Sequence, residues 1–243
     1  MGSQYKVAVE EYLARKGIIP DPNGALREDL DEDNEMGLDY LAYAIANYHT
    51  LPGIEENVRA LAQICESDFD KEREYNNRLT EFMGLWFVSE VLQERIVALE
   101  AHSPHRPAGS KKTCDLKSES AGVATYYEVK DFSSEILTQV EVDEGVTAFS
   151  PGHPHKINRW IEGYVKNCVQ KGANFLLCWA PSWHVRGRPK LTADWVKRIY
   201  PNFSALGGSR FSVTHGMSLP LTFRGVFVMR RDEHLFMEFR PTS

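Results

Sequence analysis

The sequence predicts a mixed α/β (α+β) protein, a sheet core flanked by helices and preceded by a helical amino-terminal extension. Apolar residues recur at helical spacing through the first part of the chain. After Arg95 the period changes to short apolar and alternating runs that read as strands. A strand–helix–strand succession then ends in an apolar strand, which implies a parallel pair joined by a crossover and hence a mixed sheet. The 243 residues are 42% hydrophobic and 26% charged, enough apolar material for a full core and too much for wholesale disorder.

Taken in order, residues 4–16 form a helix that stops at Gly17, and 20–34 reads as an acidic loop rich in Pro, Asn, Gly and Asp. Good helix formers fill 35–49 before Pro52-Gly53 breaks the chain. Ile54, Val58, Leu61 and Ile64 give the next segment, 54–66, one apolar face, and a longer helix spans 69–94. Strands are expected at 96–101, 113–119 and 124–132, the last two separated by a Ser-Ala-Gly turn. A loop of roughly twenty residues follows, long enough to carry function. Ile157, Trp160, Ile161, Tyr164, Val165, Cys168 and Val169 then fall at i, i+3, i+4, i+7 spacing, with Gly172 placed as a C-terminal cap. A buried strand at 174–180, a short helix at 192–200 and a closing hairpin of 223–230 with 234–240 complete the reading. This gives a helical extension over 1–70 and a core over 71–243.

Composition excludes several classes. The four cysteines, Cys65, Cys114, Cys168 and Cys178, form no CxxC pair, which argues against a zinc ribbon and a disulfide-stapled secreted domain. No apolar run is long enough to cross a bilayer and no signal peptide is visible, so a cytoplasmic protein without a membrane partner is expected. Net charge is −6 but unevenly spread: the first hundred residues hold 21 acidic and 9 basic side chains, the remainder 13 and 19. The basic carboxy-terminal part fits a polyanion.

The most informative stretch is TYYEVKD, Thr125 to Asp131. On a strand, Glu128 and Lys130 share one face while Tyr127 and Val129 take the other. Asp115, on the preceding strand, falls where an antiparallel neighbour sets it beside Glu128. Two close carboxylates repel unless a cation neutralises them, and oxygen donors of this kind suit Mg²⁺ or Mn²⁺. The competing reading of Glu-x-Lys is a cross-strand ion pair on a solvated face. Against it stand the apolar flanks, the crossover helix and Asp115. Glu81 also opens a stripe with Leu85, Val88 and Leu92 on the upstream helix.

Glu81 on a first helix, Asp115 on the second strand and Glu128-Val129-Lys130 on the third resemble the PD-(D/E)xK nuclease superfamily, over about residues 75–180. Cys114 stands where the name-giving proline would be, and Glu90 is an alternative to Glu81 for the helix carboxylate. The resemblance implies a restriction-endonuclease-like core and an Mg²⁺-dependent (or Mn²⁺-dependent) endonuclease, with DNA favoured over RNA as the nucleic-acid partner. It implies that Asp115, Glu128 and the Val129 carbonyl hold metal, that Glu81 binds metal directly or through water, and that Lys130 orients or activates the attacking water.

Under the same resemblance Lys156, Arg159 and Lys166, around the crossover helix, contact phosphate; a solvated helix face explains them equally well. Arg186, Arg188 and Lys190, with Lys197, Arg198, Trp183 and Trp195 nearby, read either as phosphate contacts with base stacking or as a basic loop over two core tryptophans. The pairs His102/His105 and His153/His155 lack a third ligand at fixed spacing. The amino-terminal helices carry no chemical signature; Tyr40, Tyr43, Ile45 and Tyr48 offer a contact for a homodimer or a partner protein. A catalytically inactive protein of the same fold, binding nucleic acid or a partner, is the alternative.

Overall fold

The computed structural model describes residues 2–65, 69–131, 163–178, 203–207, 210–215 and 236–241. The fold is mixed α+β. In chain order it runs α1 (Gln4–Lys16), α2 (Ala25–Asp31), α3 (Glu35–Tyr48), α4 (Ile54–Ala62), α5 (Phe69–Trp86), a π turn (Phe87–Val91), β1 (Arg95–Ala101), β2 (Cys114–Ser120), β3 (Val123–Asp131), α6 (163–171), β4 (Asn174–Cys178), β5 (Phe203–Gly207), β6 (Arg210–His215) and β7 (Phe236–Pro241). A four-stranded sheet has the order β1-β2-β3-β4, and a three-stranded sheet the order β5-β6-β7. The chain divides into two compact units, 1–101 with 116–124, and 102–115 with 125–243.

The first unit is a helical assembly in which α3 packs against both α1 and α5. Tyr12, Leu26, Leu38, Leu41, Ile54, Leu61, Met83 and Phe87 are fully buried. Helix α1 ends as its sequence requires: Gly17 adopts φ 61°, and the N–H groups of Gly17 and Ile18 reach back to the carbonyls of Ala14 and Leu13. The segment 20–34 is not the plain loop expected from its composition. It contains α2, because Ala25, Leu26 and Leu30 bury one face of a short amphipathic turn. Helix α4 stops at Ala62, short of the expected 66.

The helix expected over 69–94 is also interrupted. From Phe87 the backbone widens into a π turn, with the Leu92 N–H donating to the Phe87 carbonyl, and Gln93 takes φ 58° before β1 begins. The even spacing from Glu81 through Leu85 to Val88 and Leu92 therefore does not continue beyond Trp86. Tyr40 and Ile45, suggested above as a docking surface, are buried in the core of this unit.

In the second unit β3 pairs with β4 in parallel, from Tyr127↔Asn174 to Asp131↔Cys178. This is the strand–helix–strand crossover expected from the sequence. The link between β2 and β3 is the two-residue turn Ala121–Gly122, with φ 50° and 78°, as in a type I′ hairpin. Along β3, Tyr126, Tyr127, Glu128, Val129 and Asp131 are all buried, as in a strand covered on both faces. Strands β5 and β6 pair antiparallel, and β6 pairs with β7 in parallel. The sequence predicts no strand over 203–215 and pairs 234–240 with 223–230. The described partner of β7 is β6, while 223–230 and the expected helix at 192–200 lie outside the described residues.

Candidate active site

The site is built within the second unit, where β2 begins, β3 runs and α6 ends. Asp115 and Glu128 come from neighbouring strands, and Lys130 lies two residues along from Glu128 on the same face. The Glu128 side chain is 0% exposed and that of Asp115 11%. Lys130 Nζ lies 2.6 Å from Glu128 Oε1 and 3.9 Å from Asp115 Oδ2. The Val129 N–H donates to Asp115 Oδ2 at 2.7 Å, which fixes that carboxylate against β3. The three residues expected to converge do so, and Val129 stands between them in sequence.

A second ammonium enters from α6, and the sequence reading had not singled it out. Lys171 Nζ is in direct contact with Glu128 Oε2 and lies 3.7 Å from Asp115 Oδ1. One turn earlier, the Asn167 amide donates to Glu128 Oε1 at 3.3 Å. Lys112 in turn donates to Asn167 Oδ1 at 3.0 Å and to Gln170 Oε1 at 2.7 Å, orienting the amide. The site is thus a quartet of two carboxylates and two ammoniums. Asn167 and Lys171 are i, i+4 and flank the buried Cys168, whereas Val169, counted above with the apolar stripe, is half exposed, and Lys166 faces solvent. The inward face of α6 is therefore rotated toward 164, 167, 168 and 171. An i, i+4 Asn/Lys pair beside a buried cysteine was the available signal.

Local geometry explains why Lys171 is held there. The last carbonyls of a helix lack internal partners. Here Ser110 Oγ donates to the Gln170 carbonyl at 3.1 Å, Cys114 Sγ to that of Lys171 at 3.4 Å, and Ser103 Oγ to that of Gly172 at 2.8 Å. Gly172 takes φ +65°, and a Cβ added there would lie 2.5 Å from backbone atoms of His105 and Arg106. Only glycine lets the 102–113 segment close over the helix end so tightly.

Burial pushes the Asp115 carboxyl up to about 7, and the charge of Glu128 adds to the rise; Lys130, Lys171 and the Val129 N–H oppose it. Burial raises the Cys114 thiol to about 11 and the Cys168 thiol well above its usual range, with Glu128 contributing to both. Neither is poised as a nucleophile. Among the described residues, no three His, Cys, Asp or Glu side chains gather into a metal cluster. The acidic donor set is the pair Asp115 and Glu128, and its chemistry suits Mg²⁺, which takes one or two carboxylates and keeps several waters. Two cations, the Lys130 and Lys171 ammoniums, each already face an oxygen of both carboxylates.

Glu81 stands on α5 in the first unit, half-buried, while the quartet is built in the second. Glu90, its alternative, is exposed and accepts a hydrogen bond from the Tyr43 hydroxyl. Lys156, Arg159, Arg186, Arg188 and Lys190 lie outside the described residues, as do Lys197, Arg198, His153, His155, Trp183 and Trp195. Among the described residues, no helix is long and apolar enough to cross a membrane. Compared with protein-family models, curated proteins and solved structures, the chain matches none.

Proposed function

We propose that this chain is a metal-dependent nuclease of the PD-(D/E)xK type, hydrolysing phosphodiester bonds in DNA rather than RNA on a restriction-endonuclease-like core. The observation that carries the reading is the meeting of Asp115, Glu128 and Lys130 on adjacent strands of the sheet, with both carboxylates in reach of the same lysine. Burying two carboxylates together is unfavourable unless positive charge is supplied, so such a pair is unusual as a purely structural device.

In this reading Asp115 and Glu128, with the Val129 carbonyl, would hold a Mg²⁺ ion. When bound, the ion lowers the pKa of water and neutralises negative charge growing on the phosphate. Lys130 is the less enclosed of the two ammoniums, at 26% against 14% side-chain exposure, and is the one able to meet substrate. It orients the attacking water and sets a positive charge beside the phosphate oxygens. Val129 holds Asp115 in place through its N–H.

A second reading has its own observation. The quartet sets two ammoniums against two carboxyl groups without any added ion. That favours an inactive protein of the same fold that grips nucleic acid or assembles with a partner.

A cleavage panel separates the two: plasmid, linear duplex, single-stranded DNA and RNA, each with Mg²⁺ or Mn²⁺, for wild type and Lys130→Ala. Loss of a general acid–base group typically costs about 10² to 10⁴-fold in rate. Metal-dependent cleavage of DNA lost to that extent in the variant is the expected result. Equal cleavage by both proteins rejects the role of Lys130, and none by either favours the binding protein.

A further inference from the structure

The two ammoniums of the quartet do not hold equivalent positions. Lys130 approaches Glu128 Oε1 and Asp115 Oδ2, and those two oxygens also accept from the Asn167 amide and the Val129 N–H. Lys171 approaches the other pair, Glu128 Oε2 and Asp115 Oδ1, and among the described residues it is the group facing them. Taking Lys171 away would leave one oxygen from each carboxylate pointing at a common point. This is the donor arrangement that a hard divalent cation selects.

We propose that Lys171 is a tethered cation: its ammonium occupies the divalent-ion position between Asp115 and Glu128, and an ion enters the site only by displacing it. The inference rests on the metal-dependent reading above and adds the regulation of that site. The backbone at Lys171 is held by Ser103, Ser110, Cys114 and the close approach at Gly172, so the helix end stays in place. The part able to leave is the flexible four-carbon stem, which carries a compact, strongly hydrated charge that water can stabilise once it swings away. Without metal, Lys171 neutralises the repulsion between the two carboxylates. With metal, it becomes a surplus positive charge and swings out toward water. The site then stays closed at low divalent-ion concentration and tolerates the absence of metal without unfolding.

The test is equilibrium Mn²⁺ binding to the full chain, with free Mn²⁺ measured by electron paramagnetic resonance, alongside melting with and without Mg²⁺. Lys171→Gln, one bond shorter, keeps a neutral polar end on the same side of Glu128 but removes the competing charge. It should bind Mn²⁺ about tenfold tighter than wild type or better, since a competitor for the same site has gone. It should also melt lower in metal-free buffer and gain more from Mg²⁺. Lys171→Arg keeps the charge and should bind no tighter than wild type, while Arg95→Gln, an exposed cation of the first unit, should bind Mn²⁺ as wild type does. Equal or weaker Mn²⁺ binding by Lys171→Gln overturns the tethered-cation role while leaving the metal site standing. No binding by any of the proteins overturns both. Should Lys171→Gln fail to fold without metal, refolding with Mn²⁺ should recover its helical circular dichroism where matched Na⁺ does not; failure to recover counts against the proposal.

Discussion

Each unit of the molecule buries a carboxylate, and the two are treated in different ways. In the first unit Asp29, nearly fully buried, receives the Tyr75 hydroxyl on Oδ2 at 2.5 Å and the Asn34 amide on Oδ1 at 2.7 Å. These two donors are neutral, and the bonds join α2 to the start of α3 and to α5. In the second unit Glu128 is surrounded by two ammoniums, an amide and a second carboxylate. The first arrangement is a way of tying helices together, since neutral donors satisfy a buried acceptor at modest free-energy cost. The second concentrates like charges and then compensates them. Nothing in holding a sheet together requires that, because an apolar set of similar volume is often as stable or more so. The contrast separates a carboxylate that ties helices together from one whose setting fits the proposed cation site.

The largest expected effect follows from removing the centre of the charged quartet. Glu128→Ala leaves Lys130 and Lys171 facing each other with Asp115 alone between them, and breaking a buried pair in this way costs about 3 to 5 kcal/mol. Urea denaturation should show that loss together with the loss of divalent-ion binding; a change below about 1 kcal/mol would mean that water reaches the site freely. Next comes Gly172→Ala. Its φ of +65° and the 2.5 Å approach of the His105 and Arg106 backbone force a local shift, worth about 3 kcal/mol. Because that shift moves the end of α6, Mn²⁺ affinity should change as well. Tyr75→Phe is the matched change in the first unit and should cost about 1 to 2 kcal/mol by removing one donor from buried Asp29. It should leave Mn²⁺ binding and cleavage at wild-type values. A loss of metal affinity in Tyr75→Phe would erase the distinction drawn between the two carboxylates.

How much of this was legible in the sequence depended on how local each signal is. Helix α1 could be read to its last residue because Gly17 ends it by its own backbone freedom. Asp115, Glu128 and Lys130 were readable because strand alternation puts Glu128 and Lys130 on one face and a two-residue turn sets β2 beside β3. Lys171 was not, because its role depends on the rotation of α6 about its own axis. A pattern containing Tyr164, Val165, Cys168 and Val169 fits two neighbouring faces, and packing against the sheet selects the one that includes Asn167 and Lys171. The π turn after Trp86 was hidden for a similar reason, since Phe87, Val88 and Val91 continue an apolar helical pattern without a breaker. Strands β5 and β6 were visible in principle: Phe203/Ala205 and Phe211/Val213 alternate on either side of Gly207-Gly208.

The last test is a pH dependence, and it asks whether the quartet is a cation site at all. Burial, reinforced by Glu128, raises the Asp115 carboxyl from the usual 3.8 to about 7 in the folded chain. Between those values the folded state keeps a proton that the unfolded chain has released. The stability this group contributes is therefore complete below about pH 4 and is lost as pH rises through about 7. Its share of the pH dependence is isolated by subtracting the melting profile of Asp115→Asn from that of wild type. In metal-free buffer the difference should fall as pH rises from 5 to 8. With Mg²⁺ the ionised carboxylate gains a partner, binding releases a proton below pH 7, and the difference should flatten or reverse sign. Asp29, which accepts from Tyr75 and Asn34 in the other unit, lies outside the proposed cation site, so Asp29→Asn should leave the Mg²⁺ response intact even as it lowers the melting temperature. A Mg²⁺ response that survives in Asp115→Asn and disappears in Asp29→Asn would invert the assignment of the two carboxylates.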